Sequence, residues 1–171
     1  MNDVHVVFGT GAIGLALIDE LAGLGMPVRA VSRSGSAQVP RGVDVLGGDV
    51  SDGDFAVRAA AGAAVVYQCL NPAYHRWAED FPPLQDGVIH AARAVDARLV
   101  SFENVYGYGD TGGAPITETT VANPHTHKGK VRLVMAEQLR QLAPSDGPPA
   151  RQSWGGSSRI SGAWSCTRRE Q

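Results

Sequence analysis

The chain has 171 residues, a length that fits one domain with its own hydrophobic core. Its net charge is −2, and its basic residues form no stripe, which argues against a nucleic-acid partner. No apolar run reaches the roughly 18 residues that a membrane span needs, and Met1-Asn2-Asp3 lacks the basic flank of a signal peptide. We therefore expect a cytoplasmic protein without a membrane partner.

Strand-like and helix-like patterns alternate along the chain. Short apolar runs predict five strands, at Val4–Phe8, Val28–Val31, Val43–Leu46, Ala63–Leu70 and Arg98–Phe102. Helical spacing and capping signals predict helices at Ile13–Leu24, from a cap at Ser51 to Gly62, at Pro82–Ala94 and at Val131–Leu142, with a long loop from Tyr106 to Asn123. This order predicts an α/β fold: a Rossmann-like, doubly wound parallel sheet of order 3-2-1-4-5 between two layers of helices.

The pattern changes after about Pro144. Residues 144–171 show neither helical nor strand periodicity, so we expect an irregular or disordered tail there. Residues 1–143 then form a dinucleotide-binding domain that is incomplete on its C-terminal side. A second hypothesis is a shifted reading frame, because the codons of Gln152 to Ser161 can encode, one frame over, a strand and turn that would supply the missing sixth strand.

A glycine-rich turn joins the first predicted strand to the first helix. It reads Gly9-Thr10-Gly11-Ala12-Ile13-Gly14. In such a turn the first glycine lets the chain reverse, the second admits a pyrophosphate close to the backbone, and the third lets the helix pack on its strand. The helix N-terminus then offers N–H groups to the anion. The alternative is a strand-to-helix turn without a ligand.

The end of the second strand favours a phosphorylated cofactor. NAD-binding proteins of this design carry an acidic residue there for the ribose hydroxyls, but this chain has Ser32 and Arg33. A guanidinium can grip a 2′-phosphate, so we expect NADP, with NAD as the alternative. The structural alternative is a solvated surface arginine.

Two further segments are expected to border the cofactor. Asp49-Val50 follows the third strand and is placed beside the adenine, although Asp49 is equally suited to capping a turn with Ser51. Leu70-Asn71 ends the fourth strand, at the edge where the nicotinamide ribose should lie.

These motifs resemble the NAD-dependent epimerase/dehydratase family, in the atypical branch of the short-chain dehydrogenase/reductase superfamily. The resemblance rests on the glycine turn, Gly48-Asp49-Val50, the strand Val65–Leu70 and Ser101-Phe102-Glu103-Asn104-Val105-Tyr106-Gly107, and it spans roughly Val4 to Leu142. It implies hydride transfer on sugar-nucleotide or other small carbonyl substrates, with a homodimer as a further hypothesis.

The catalytic pattern of that family is incomplete here. Active members carry Tyr-x-x-x-Lys, which occurs nowhere in this chain; Thr126 stands at the tyrosine position if Lys130 matches the lysine, and Phe102 takes the place of the family serine. Tyr106 and Lys130 are the candidate catalytic residues. The alternative for Tyr106 is that its side chain only packs against the rest of the protein. The missing tyrosine leaves open a non-catalytic NADP(H) sensor, and the absent C-terminal part leaves open an inactive truncated product.

Other reactive side chains give weaker indications. His125 and His127 are candidate proton shuttles or solvated loop residues, and they lack the third ligand that a metal site requires, so we expect no metal. Cys69 lies in an apolar run and is expected to be a buried thiol. A further set follows the fourth strand, where it either recognises the substrate or starts a helix anchored by its tryptophan: His75, Arg76, Trp77 and Glu79.

Overall fold

The computed structural model describes residues 3–117 and 119–142, and the chain divides into two compact units between Ser101 and Phe102. The first unit holds a five-stranded sheet, whose strands are β1 (Val4–Phe8), β2 (Val28–Ser32), β3 (Asp44–Gly47), β4 (Ala63–Gln68) and β5 (Arg98–Ser101). All neighbouring strands are parallel, in the order β3-β2-β1-β4-β5. The predicted fold class and strand order are confirmed.

Helices connect the strands. In the first unit they are α1 (Ala12–Gly23), α2 (Gly53–Ala60) and α3 (Trp77–Ala94), with a 3₁₀ turn at Tyr74–Arg76 before α3. The second unit contains a 3₁₀ turn at Val105–Tyr108 and α4 (His127–Gln141). The predicted tail, 144–171, and its frame-shift hypothesis lie outside the described residues. Among the residues that the structure describes, no helix combines the length and the apolar character of a membrane span.

Helices cover the two faces of the sheet. On one face, α2 and α3 pack together over alternate strand residues such as Val6, Phe8 and Val66, all fully buried. Because successive strand residues point to opposite faces, Val7 and Ala30 face the other side. There α1 packs on β1 and β2 and buries Leu17, Ile18 and Leu21. Burial on both faces explains why the central strands β1 and β4 are mostly apolar.

Helix α3 begins five residues before the predicted start. The prediction used Pro82 as a first-turn residue, but Pro82 and Pro83 lie inside the helix. The preceding turn is held by Trp77 and Phe81, which are one turn apart and both buried, with edge-to-face rings. Burial of these two aromatic side chains offsets the backbone hydrogen bonds that the prolines cannot make.

The predicted starts of two other helices also differ from the structure. The cap of α2 is Asp52, not Ser51: its carboxylate accepts from the N–H groups of Asp54 (3.0 Å) and Phe55 (3.3 Å). Helix α4 starts four residues before the predicted Val131, because the Thr126 hydroxyl caps it by accepting from Gly129 N–H at 3.0 Å. For α2 the predicted cap is thus one residue too early, and for α4 the prediction follows the apolar residues and leaves out the polar cap.

Candidate dinucleotide-binding site

The glycine turn lies between the end of β1 and the start of α1, and its first glycine is required by the fold. Gly9 has φ +106, a conformation that L side chains rarely adopt. A Cβ on Gly9 would lie 2.6 Å from the Cys69 carbonyl oxygen, and Gly9 N–H donates to Val31 O at 2.9 Å. The turn is therefore pressed against the backbone that follows β4.

The third glycine is also required by the fold. Gly14 is buried in the first turn of α1, and a Cβ there would collide with the carbonyl oxygen of Gly9. Because the colliding atom is backbone, it cannot swing aside as a side chain would. Gly14 thus allows α1 to sit directly over the turn, as predicted from the spacing of the glycines.

The second glycine is different, because the fold does not require it. Gly11 has ordinary extended backbone angles (φ −77, ψ −173), and a Cβ on it would meet no atom within 4 Å. It is also the N-cap of α1, where it supplies no side-chain cap, and the first turn of α1 carries no acidic residue. The first N–H groups of a helix have no partner within the helix and lie at the positive end of its dipole, so this helix end is suited to an anion. Thr10, Ala12 and Ile13 surround this point, with Ile13 about half exposed.

The residues after β2 form a short polar loop. Arg33 is exposed, and the hydroxyls of its neighbours are engaged within the loop: Ser32 Oγ donates to Ser36 O at 3.4 Å, and Ser34 Oγ lies 3.0 Å from Ser36 Oγ. The positive charge of Arg33 contributes to lowering the pKa of two carboxyls, Asp49 and Asp80. The guanidinium accordingly lies in the field of two anions at this edge of the sheet.

Asp49 caps the turn that follows β3. Its Oδ1 accepts from Ser51 Oγ at 2.7 Å and from Ser51 N–H at 2.9 Å. This is the turn-capping role that the sequence predicted as the alternative to binding the adenine. The hydrogen bond from the Ser51 hydroxyl is the main reason that the pKa of Asp49 lies below its ordinary value, followed by the backbone N–H of Ser51. The Val50 side chain belongs to the core (2 % exposed), so only its backbone is available at this edge.

The segment after β4 lies beneath the glycine turn. Cys69 N–H donates to Phe8 O at 2.8 Å, and a Cβ on Gly9 would lie 2.9 Å from Leu70 N. Leu70 packs against the core, while Asn71 is exposed. The structure therefore brings the ends of β1 and β4 together, as predicted. The predicted burial of the Cys69 thiol is confirmed, and burial raises its pKa to about 12.

The aromatic residue in the segment before α3 is an anchor. Trp77 is 5 % exposed, its indole Nε1 donates to Pro72 O at 3.2 Å, and its ring meets Tyr74 and Phe81 edge to face. Arg76 makes two bonds to Asp80, at 2.8 and 2.7 Å. The sequence left two roles open for this segment, substrate recognition or the start of a helix anchored by its tryptophan, and Trp77 acts as that anchor. His75 and Glu79 are exposed.

The candidate catalytic residues belong to the second unit. Tyr106 is 41 % exposed in the 3₁₀ turn, where its N–H donates to Asn104 Oδ1 at 3.2 Å, and Lys130 is exposed near the start of α4. The two segments touch: a Cβ on Gly129 would lie 2.6 Å from the Tyr106 carbonyl oxygen. The Thr126 hydroxyl, which would stand at the family tyrosine position if Lys130 matched the lysine, caps α4.

The sequence analysis missed a buried ion pair in the second unit. Arg132 Nη2 donates to Glu103 Oε2 at 2.5 Å, and a second nitrogen, Nη1, lies 3.6 Å from the Met135 sulfur. Desolvation lowers the pKa of Arg132, and the charge of Glu103 opposes that shift. Val134, an apolar residue of the same helix, is 69 % exposed. The missed signal is the spacing of Arg132 with Met135 and Ala136, both buried.

A cleft adjoins this ion pair. It is lined by residues of the second unit, including Glu103, Asn104, Tyr108, Arg132 and Leu133. His125 and His127 are exposed. In the part of the chain that the structure describes, no three His, Cys, Asp or Glu side chains are grouped as a metal site.

Comparisons with known proteins agree on the architecture. Neither a protein-family profile nor a curated sequence matches the chain. Similar solved structures include the Bordetella bronchiseptica enzyme WbmG in complex with NAD and UDP (22 % identity, TM-score 0.66, 79 % of this chain and 48 % of that one). The UDP-glucose 4-epimerase of Brucella ovis in complex with NAD has 22 % identity and a TM-score of 0.70 over 81 % of this chain and 47 % of that one. Uronate dehydrogenase from Agrobacterium tumefaciens has 16 % identity and a TM-score of 0.69 over 82 % and 56 %.

The chain therefore spans about half the length of these solved structures. At this level of identity the similarity establishes the fold. The five-stranded parallel sheet with its flanking helices is shared with WbmG, an epimerase and a dehydrogenase, two of the three solved as complexes with NAD.

Proposed function

We propose that the chain binds a nicotinamide dinucleotide at the glycine turn and is a member of the NAD-dependent epimerase/dehydratase family. The observation that carries the proposal is Gly11. Its neighbours Gly9 and Gly14 are explained by backbone contacts inside the protein, but Gly11 has open space where a side chain would lie. A ligand whose pyrophosphate approaches the backbone at a helix N-terminus supplies the reason for a glycine there.

The proposed cofactor is NADP rather than NAD. Ser32 and Arg33 follow β2 where an acidic residue would be needed for the ribose hydroxyls of NAD. Arg33 is exposed, so its guanidinium is accessible to a 2′-phosphate. Two of the similar structures hold NAD, which makes NAD the alternative.

The proposed activity is hydride transfer on a sugar-nucleotide or another small carbonyl compound. The similar structures include UDP-glucose 4-epimerase and uronate dehydrogenase, which supports this class of substrate. The bound dinucleotide would supply the hydride chemistry. Tyr106 is the candidate for moving a proton and Lys130 for holding a ribose, because these residues are exposed on touching segments.

A second candidate function is a dinucleotide sensor without catalysis. The observation that favours it is Thr126, which stands at the family tyrosine position and uses its hydroxyl as the cap of α4. An aliphatic hydroxyl is also a poor proton donor at neutral pH. Binding without turnover across UDP-sugars and small carbonyl compounds would favour this sensor, whereas oxidation of NADPH by any of them would favour the enzyme.

Fluorescence titration with NADPH and NADH tests the binding proposal. We expect both to bind, NADPH more tightly, and we expect Arg33→Ala to weaken NADPH far more than NADH. Arg41→Ala is a matched control, because Arg41 is another exposed arginine of the same unit, in the loop before β3. Failure of both dinucleotides to bind would refute the proposal; equal weakening of the two by Arg33→Ala would refute only the phosphate assignment.

We also propose that the protein is cytoplasmic and that it forms a homodimer. Light scattering coupled to size-exclusion chromatography measures the mass of the particle in solution. A mass of one chain would overturn the homodimer and leave the cofactor assignment untouched.

A further inference from the structure

The loop that carries Arg33 lies backbone against backbone on the last residue of β3. Gly47 pairs with Ser32 across the sheet. A Cβ on Gly47 would lie 2.7 Å from both the Cα and the N of Gly35 and 3.2 Å from the carbonyl carbon of Ser34. From the loop side, a Cβ on Gly35 would lie 3.0 Å from the Cα of Gly47. All of these neighbours are backbone atoms, so the contact leaves no room for a side chain at position 47.

The backbone conformation at position 47 does not require a glycine. Gly35 has φ +66, in the region that favours glycine, but Gly47 is absent from the positive-φ residues of the described chain. The next residue continues the contact with β2, since Gly48 N–H donates to Ser32 O at 3.1 Å. Because position 47 carries no side chain, the loop from Arg33 to Ser36 can lie directly against β3.

We infer that Gly47 is a positioning residue for cofactor selectivity: by admitting the backbone of Gly35, it fixes the direction in which Arg33 leaves β2. The inference rests on the proposed function, because it concerns the discrimination between a dinucleotide that carries a 2′-phosphate and one that does not. Gly47 acts through Arg33 and itself offers no group to a ligand.

The surrounding charges explain why the position of Arg33 matters. Asp49 and Asp80 both lie within the field of Arg33, and Asp80 is itself paired with Arg76 at 2.8 and 2.7 Å. A displaced loop would let the guanidinium approach one of these carboxylates, whose attraction then competes with that of a phosphate. A loop fixed by Gly47 keeps the guanidinium in one place relative to both.

The test is Gly47→Ala, with Gly23→Ala as the matched control. Gly23 lies at the end of α1, and a Cβ on it would meet no atom within 4 Å. For Gly47→Ala we expect the NADPH dissociation constant to rise about tenfold, the loss typical of a misplaced charge-assisted contact, while that for NADH stays within about twofold. Gly23→Ala should change neither the NADPH nor the NADH dissociation constant. A purely structural role for Gly47 would weaken both dinucleotides alike, which would overturn the inference.

A double variant tests whether Gly47 acts through Arg33. In the Arg33→Ala background, Gly47→Ala should cause no further loss of NADPH affinity, because the group that it positions has been removed. Additive losses would overturn the inference. If Gly47→Ala does not fold, Gly35→Asn probes the same contact from the loop side, since asparagine tolerates positive φ; it should lower the preference for NADPH in the same way, and an unchanged preference would count against the inference. Wild-type protein that binds neither dinucleotide would instead refute the proposed function itself.

Discussion

Arg132 and Glu103 form an ion pair at 2.5 Å that is almost completely withdrawn from solvent, the two side chains being 2 % and 6 % exposed. The pair joins the segment after β5 to α4, within the second unit. Burying two charges is costly, and their attraction repays this cost only when the geometry is good. The pair therefore makes the packing of this unit sensitive to the loss of either partner alone.

We expect Arg132→Met to lower the free energy of unfolding by about 3–5 kcal/mol, because it removes the positive charge that faces the buried Glu103 carboxylate. The double variant Arg132→Met with Glu103→Leu should recover part of this loss, since it removes both charges. Urea denaturation measures each value. Arg140→Met is the control: Arg140 pairs with Glu137 at 2.7 Å on the exposed surface, where a pair contributes about 0–1 kcal/mol. Similar losses for Arg132→Met and Arg140→Met would contradict the role of burial.

The glycine turn gives a second pair of variants with opposite outcomes. Gly14→Ala should be strongly destabilised, because the added Cβ collides with the Gly9 carbonyl. Gly11→Ala should melt near the wild-type temperature, because its Cβ meets nothing, yet it should lose about tenfold or more in dinucleotide affinity if a pyrophosphate approaches there. Thermal melting and NADPH titration measure the two effects. A Gly11→Ala variant with unchanged affinity would argue that the turn has no ligand.

The sheet could be predicted from the sequence because its signals are local. The runs Val4–Phe8 and Ala63–Gln68 are mostly apolar, as is typical of strands buried on both faces, and alternation with helices predicts the parallel order. The starts of α3 and α4 could not be predicted in the same way. They depend on whether an aromatic side chain finds a packing partner and whether a capping side chain finds a backbone N–H group. Trp77 is buried only because Phe81, Tyr74 and the Pro72 carbonyl are there to receive it.

The candidate site shows the same division. The motif predicts a different role for each of its three glycines, but the contacts that require two of them are visible only in the folded chain. Gly9 is confined by Cys69, sixty residues away in sequence, whereas a Cβ on Gly11 would meet no atom within 4 Å. The contact of Gly47 with Gly35 and the pairing of Arg132 with Glu103 likewise join distant segments, and no periodicity in one sequence encodes such contacts.

His5 and Tyr67 predict a dependence of stability on pH. The His5 ring stacks on Tyr67, with Nδ1 2.9 Å from the hydroxyl oxygen, and burial lowers the pKa of His5 from its ordinary 6.5. As the pH falls, the unfolded chain takes up this proton first, so the contribution of His5 is complete above about pH 6.5 and is lost as the pH falls through the lower folded-state pKa. Urea unfolding at about pH 7.5 and about pH 5.5 should show a smaller difference for His5→Gln than for the wild type. The same difference in both proteins would exclude His5 as a source.

Cys69 should be chemically silent in the native protein although it lies directly beneath the glycine turn. Only a thiolate attacks a disulfide reagent, and burial raises the pKa of this thiol to about 12, so the thiolate is scarce at about pH 8. The variant Cys166→Ser leaves Cys69 as the single cysteine of the chain. Ellman's reagent should then label the native protein no faster than the protein unfolds, and should label it fully in concentrated guanidinium chloride. Binding of NADPH should slow the native reaction further by stabilising the folded state. Rapid labelling of the native variant would show instead that the packing of Cys69 under Gly9 and Gly14 opens without unfolding of the sheet.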